Sequence, residues 1–174
     1  EQGIEYVMIF QNRGDAVGVT LHHPHGQIYA FPFIPPIPMA ELKRSSEHLT
    51  STGRCLLCDV LAEEMADGRR VVYANQHFAA VVPFHARWPY EVHIIAREHV
   101  PSIAALPAEQ RWELALALSA VARAYDSLFG FDLPYVMVMH QAPTDPAYLP
   151  VSHFHIEFYP PNRTADKLKY LAGC

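Results

Sequence analysis

Between two runs of β-forming residues the chain places His22-His23-Pro24-His25-Gly26-Gln27. Pro24 locks its own φ and drives the residue before it into extended geometry, so this stretch cannot be helical. On an extended segment, residues two apart point the same way, which puts His23 and His25 on one side. Imidazole is a neutral nucleophile near pH 7 and also a nitrogen ligand for metals. One ring can therefore be held by a metal or a carbonyl while the other attacks an electrophile. Gly26 lets the main chain approach something bulky. A lone histidine would read as packing, whereas this pattern between two apolar strands reads as a site.

Composition narrows the remaining choices. A chain of 174 residues suffices for one domain with a real core, and 15 prolines argue against an all-helical fold. A net charge of −5 leaves no basic field for a nucleic-acid backbone. No run of about 18 apolar residues suggests a membrane span, and no signal pattern opens the chain. The expectation is a cytoplasmic protein with neither nucleic-acid nor membrane partner.

Periodicity and punctuation predict strands over residues 4–10, 16–21 and 27–33, with a turn at Asn12-Arg13-Gly14-Asp15. Pro32, Pro35, Pro36 and Pro38 then form a stiff connector. A helix follows from Met39 to about Thr50, closed by Gly53. Further on come a helix over 59–66 stopped by Gly68, and strands over 71–73, 78–82 and 92–96. A long helix over 108–129 shows Trp112, Leu116, Ala120 and Leu128 as the stripe expected to face a sheet. Strands over 135–140 and 152–159 precede a terminal helix over 165–171 capped by Thr164. The layout is α+β, a mostly antiparallel sheet with one crossing helix.

Cys55-Leu56-Leu57-Cys58 is a zinc cue, because two thiolates at this gap reach one tetrahedral ion. With three cysteines in the chain, this fits a metal site in a reducing compartment better than a disulfide framework. Nitrogen ligands could come from His93, His99, His140, His153 or His155, with His93 reading as a packed strand residue. On one strand, positions 153, 155 and 157 share a face.

Several of these stretches resemble one family in order. His23-Pro24-His25-Gly26-Gln27 is similar to the active-site signature of galactose-1-phosphate uridylyltransferases, a branch of the histidine-triad superfamily. Phe10-Gln11-Asn12-Arg13-Gly14 resembles the family's Phe-Glu-Asn-Lys-Gly turn. Trp88-Pro89-Tyr90-Glu91, Ala142-Pro143, Phe158-Tyr159-Pro160-Pro161 and Lys169-Tyr170-Leu171-Ala172-Gly173 have counterparts too, so the likeness spans the chain. It implies a histidine-triad-like fold in which residues 1–38 end a first repeat and 39–174 form a complete second one. The family's N-terminal half would then be missing or a separate chain.

The resemblance further implies that UMP moves between UDP-glucose or UDP-galactose and hexose 1-phosphates through a uridylyl-histidine. His25 would be the nucleophile and Gln27 its partner at the phosphoryl oxygens. Asn12, Thr20 and Gln27 would contact the nucleotide, and Lys169 and Tyr170 would reach the sugar phosphate across a homodimer interface. It offers two ligand sets for a structural metal. Zinc-binding relatives match Cys55, Cys58, His99 and His153. Many uridylyltransferases hold iron or zinc at positions matching Glu41, His140, His155 and Glu157. His23 would join a further site completed by the N-terminal half. Kindred readings are a nucleotide-sugar phosphorylase or adenylyltransferase using the same histidine, and a zinc-stabilised, non-catalytic remnant or subunit.

Overall fold

The structure, a computed structural model, describes residues 3–21 and 23–169. Seven antiparallel strands form one sheet: β1 Tyr6–Arg13, β2 Gln27–Phe31, β3 Val71–Ala74, β4 Phe78–Val81, β5 Val92–Ala96, β6 Tyr135–His140 and β7 His155–Tyr159. Their order is β2-β1-β6-β7-β5-β4-β3, and β8 Asn162–Thr164 pairs with β9 Lys167–Leu168 as a separate hairpin. Three α-helices accompany the sheet among the described residues: α1 Pro36–Thr52, α2 Leu56–Asp67 and α3 Ala108–Phe129.

Two adjacent cross-strand rows explain how the sheet is used. Ile28, Ile9, Met139, Ile156, Ile94 and Ala80 stand side by side across six strands. Within this row Ile156, Ile94 and Ala80 are sealed, and they pack with Leu114, Ala117, Val121 and Tyr125 of α3. The neighbouring row is Gln27, Phe10, Val138, Glu157, His93 and Val81. Because strand side chains alternate, this row lies on the opposite face. There α2 covers Ala79, Val81 and Ile95 with Leu61, while the middle of the row carries polar groups. The sheet thus has an apolar face under α3 and a partly polar face under α1 and α2.

Several sequence expectations are corrected. The expected strand over 16–21 does not form: Asp15–Val17 is a 3-10 turn, and the Gly18 N–H donates to the Asp15 carbonyl at 2.9 Å. The expected turn at Asn12 starts later, since Asn12 and Arg13 remain in β1 opposite Val136 and Tyr135. Gly14 makes the turn with φ +90, and a Cβ there would stand 2.9 Å from Pro134 Cβ. Pro36 and Pro38 belong to α1 instead of a connector, because the first helical turn has no use for the N–H that proline lacks.

The stripe on α3 is also the wrong one. Trp112 is 67% exposed and Leu116 42%, while Leu114, Ala117, Val121 and Tyr125 turn inward. Both stripes have helical period, so spacing alone could not choose between them. The helix expected after Thr164 is replaced over the described residues by the β8–β9 hairpin. The strand expected over 152–159 begins only at His155, and Pro146–Val151 forms an unforeseen 3-10 helix.

Candidate active site and metal centres

His25 precedes edge strand β2, which has β1 on one side and no strand on the other among the described residues. Its Nδ1 lies 2.9 Å from the carbonyl of His23, so Nδ1–H donates there. That bond selects the tautomer with its lone pair on Nε2, the atom a nucleophilic imidazole must present. The ring is half-buried, and the His23 ring sits 5.5 Å away centre to centre. Two residues on, Gln27 is half-buried on the polar row, its amide oxygen accepting from the Tyr29 hydroxyl at 3.4 Å. A Cβ on Gly26 would meet the Phe10 carbonyl at 3.5 Å, an ordinary contact, so nothing among the described residues requires glycine there.

A cavity of about 420 Å³ opens beside this segment, lined by Asn12, Arg13, Leu21, His23, Pro24 and Tyr135 among others. Asn12 Oδ1 is buried there without a hydrogen-bond partner among the described residues. An unmet buried amide of this kind costs about 1–3 kcal/mol unless a ligand or water satisfies it. Arg13 pairs with Asp126 at 2.8 Å, tying β1 to α3 behind the cavity. Thr20 is exposed in the irregular stretch before His23. Lys169 is elsewhere: its ammonium donates to the Arg87 carbonyl and stands 4.9 Å from the centre of the Trp88 ring. Tyr170 lies outside the described residues.

Two groups of potential ligands converge. Cys55, Cys58, His99 and His153 each offer an atom within 4.8 Å of the others. Cys55 caps α2 and Cys58 sits on its first turn, so the helix start aims both thiols at the strand segment before β7. His153 Nδ1 is 3.3 Å from Cys55 Sγ and 3.5 Å from Cys58 Sγ, while its Nε2 donates to the Ala96 carbonyl at 2.8 Å. A metal-binding imidazole is oriented in this way, with one nitrogen fixed by a carbonyl and the other turned to the ligand group. Edges of about 3.5 Å suit a tetrahedron with bonds near 2.0–2.3 Å. Burial drives His153 down to about 4, which keeps it neutral, and burial next to Cys55 pushes the Cys58 thiol up to about 12.

Glu41, His140, His155 and Glu157 form the second group, again with ligand atoms within 4.8 Å of one another. Glu41 from α1 meets His140 Nδ1 at 2.8 Å, and Glu157 lies 3.4 Å from His140 Nε2 and 3.5 Å from His155 Nε2. His155 Nδ1 donates to the His153 carbonyl at 2.8 Å. Burial would raise Glu157, yet the His155 hydrogen bond and the nearby His140 and His93 bring it down to about 2. Burial would lower His155, but Glu157 and Glu41 raise it above its ordinary value. Two carboxylates and two imidazoles make a harder donor set than the thiolate group, suited to iron, manganese or zinc. A cavity of about 430 Å³ reaches this group past Tyr6, Leu57 and Val60.

The choice left open between His93, His99, His140, His153 and His155 is thus divided by the fold: two face the thiols, two face the carboxylates, and His93 joins neither. His93 is instead buried against Glu91 at 2.9 Å and Glu157 at 3.4 Å. Glu91 was visible in the sequence only as the end of a motif. Its signal was the two-residue step to His93 entering a strand, which puts both on one face. Burial would raise Glu91, but hydrogen bonds from His93, Trp88 and Arg87 hold it below the usual carboxylate range.

An antiparallel α+β sheet bearing a tautomer-fixed histidine at its edge strand and convergent ligand groups at its interior strands defines the class. The chain belongs to the galactose-1-phosphate uridyl transferase family: the model of its C-terminal domain matches residues 41–171 and that of its N-terminal domain residues 1–35. The galactose-1-phosphate uridylyltransferase of Thermotoga maritima is 43% identical over 171 residues, covering 98% of this chain and 53% of that one. The Neurospora crassa protein of that name is 41% identical, with 99% of this chain and 45% of that one covered. A solved uridylyltransferase superimposes with a TM-score of 0.90 at 39% identity over 99% of this chain and 54% of that one. ADP-glucose phosphorylase from Arabidopsis thaliana, with bound ADP-glucose, gives 0.82 at 26% identity, over 94% of this chain and 51% of that one. The chain spans about half the length of the curated relatives it matches. No helix among the described residues is long and apolar enough to cross a membrane.

Proposed function

We propose that this chain carries the nucleophilic histidine of a UDP-glucose–hexose-1-phosphate uridylyltransferase. The carrying observation is the His25 Nδ1 bond to the His23 carbonyl, which leaves Nε2 as the free base on a half-buried ring. Nε2 attacks the α-phosphorus of UDP-glucose, the bond from that phosphorus to the bridging oxygen breaks, and glucose 1-phosphate departs. A phosphate oxygen of galactose 1-phosphate then attacks the uridylyl group, the P–N bond breaks, and UDP-galactose leaves. Dividing one displacement into two at a neutral nitrogen is covalent catalysis. Gln27 supplies an amide N–H to a phosphoryl oxygen as charge builds there. Asn12, with its unmatched oxygen at the cavity beside His23, and Thr20 contact the nucleotide. Lys169 and Tyr170 serve the sugar phosphate of the neighbouring protomer in a homodimer.

Residues 1–38 then close one histidine-triad-like repeat and 39–174 form the second. The N-terminal half, as a separate chain or as more of the same one, completes the nucleotide pocket and a metal site that includes His23. Cys55, Cys58, His99 and His153 hold zinc, and Glu41, His140, His155 and Glu157 hold iron or zinc. A metal at either place cross-links strand and helix, and takes no part in the transfer. The reaction belongs to galactose metabolism in the cytoplasm.

Intact-mass analysis after incubation with UDP-glucose, with and without a chain bearing the N-terminal half, tests the reading. A UMP-sized adduct that disappears in His25→Ala is expected. The likeness to the ADP-glucose phosphorylase supports a second reading, an adenylyl-transferring phosphorylase. Turnover of ADP-glucose with phosphate, and none of UDP-glucose with galactose 1-phosphate, would select it. The absence of any adduct with every partner would leave a metal-stabilised, non-catalytic subunit.

A further inference from the structure

We propose that Glu91 is a positioning residue: it couples the Glu41–His140–His155–Glu157 group to the loop that seats Lys169, so that a cation in the group orders that loop. This rests on reading the group as a metal site. Glu91 is 1% exposed and uses both oxygens. Oε2 accepts from the N–H of Arg87 at 2.7 Å and of Trp88 at 2.9 Å, while Oε1 accepts from His93 Nε2 at 2.9 Å. The same His93 nitrogen stands 3.4 Å from Glu157 Oε1. A single N–H is therefore shared between the carboxylate of the ligand group and the carboxylate that anchors the loop.

The far side of the loop is equally committed. Lys169 reaches the Arg87 carbonyl and covers Trp88, Tyr90 donates to the Arg163 carbonyl at 3.1 Å, and Tyr125 donates to the Tyr90 carbonyl at 2.7 Å. Tyr90 has φ 61, a left-handed backbone that a residue with a Cβ adopts only where its surroundings enforce it. The contacts run without a gap from Glu157 through His93, Glu91 and Arg87–Trp88 to Lys169. A cation bound by Glu157 occupies its oxygens, and the His93 N–H then turns wholly to Glu91. Glu91 in turn holds the Arg87 and Trp88 amides more firmly under Lys169. The ligand group of the second repeat would thereby act on a sugar-phosphate contact through the loop.

The chain has two tryptophans, so Trp112→Phe, at an exposed position, leaves Trp88 as the reporter. Cobalt(II) is added to this variant. Metal content is measured by dialysis, and near-ultraviolet absorption separates thiolate-bound cobalt from cobalt held by oxygen and nitrogen. Filling of the carboxylate–histidine group is expected to shift Trp88 emission and to slow amide exchange at Arg87 and Trp88 about tenfold. Glu91→Gln, which replaces one of two acceptor oxygens with a donor, is expected to keep cobalt in this group and to lose both responses. His140→Ala is expected to lose the metal from this group and the responses together. Should Glu91→Gln fail to fold, the exchange rates in the Trp112→Phe chain and its His140→Ala variant decide. Cobalt bound in this group with Trp88 and its amide unchanged, or a Glu91→Gln chain that still responds, overturns the coupling and leaves the metal reading standing. No cobalt in this group overturns both.

Discussion

His23-Pro24-His25-Gly26-Gln27 and His153-Phe154-His155-Ile156-Glu157 are one pattern built twice. In each, the second histidine donates Nδ1–H to the carbonyl of the first, at 2.9 and 2.8 Å. In each, the fifth residue opens onto the polar cross-strand row, Gln27 opposite Phe10 and Glu157 opposite Val138, and Phe10 and Val138 pair with one another. The surroundings differ. The first copy sits at an edge strand, where the His25 ring remains partly open to solvent. The second is interior, its His155 ring closed in by His140, Glu41 and Glu157. The same backbone device frees Nε2 in both copies, and what surrounds that nitrogen decides its chemistry. Open space suits it to an electrophile, and two carboxylates with a second imidazole suit it to a cation.

The largest effect that would test this contrast is catalytic. With the N-terminal half supplied, His25→Ala should lower uridylyl transfer by 10³ or more, on the order of losses seen when a covalent nucleophile is removed. His155→Ala should still form the adduct while its metal content falls. Equal loss of adduct in both variants would mean that the two copies are not specialised.

Next is stability. Glu157→Ala strands buried histidines and should cost about 3–5 kcal/mol in denaturant unfolding. Gln27→Ala, at the half-buried edge, should stay within about 0.5 kcal/mol while slowing transfer. Similar stability losses at the two positions would remove the distinction between an interior and an edge copy.

The middle residues sharpen it further. Ile156 is fully buried, so Ile156→Ala should cost about 2–5 kcal/mol. Gly26→Ala meets only an ordinary contact and should change stability by less than about 0.5 kcal/mol. An effect of Gly26→Ala on transfer alone would place the demand for glycine on the substrate or the N-terminal half.

The smallest is a gradual pH dependence of the chelator-treated chain. His153 sits at about 4, so the advantage of its neutral form is complete above its ordinary 6.5 and is lost as pH falls from 6.5 toward 4. Glu157, at about 2, loses its share between 4.5 and 2. His155, raised, works in the other direction: its contribution is complete below 6.5 and fades as pH climbs through its folded pKa. Melting temperatures should fall between pH 6.5 and 4, and His153→Leu should flatten that segment. An unchanged slope would mean that His153 is not held neutral by burial.

Much of this could be read along the chain because it depends on local chemistry. The extended His-Pro-His segment follows from what proline forbids, α3 from its length and the Pro107–Gly130 brackets, and strand β5 from five apolar or packed residues. The face of α3 could not be read, since two stripes share its period and only the sheet chooses Leu114 over Trp112. Two weaker elements also escaped: Gly18 curls a run that looks like a strand, and two paired strands displace a capped helix after Thr164.

The sequence by itself determined the inventory of chemistry: a proline-fixed pair of histidines, a Cys-x-x-Cys and an alternating His-x-His-x-Glu. Tertiary structure alone brought together the two ligand sets that the family resemblance had offered. It sent His99 and His153 to the thiols and His140 and His155 to Glu41, because Cys55, Cys58 and Glu41 lie tens of residues from these histidines and meet them only where strand register and helix packing bring them together, and it left His93 against its near neighbour Glu91.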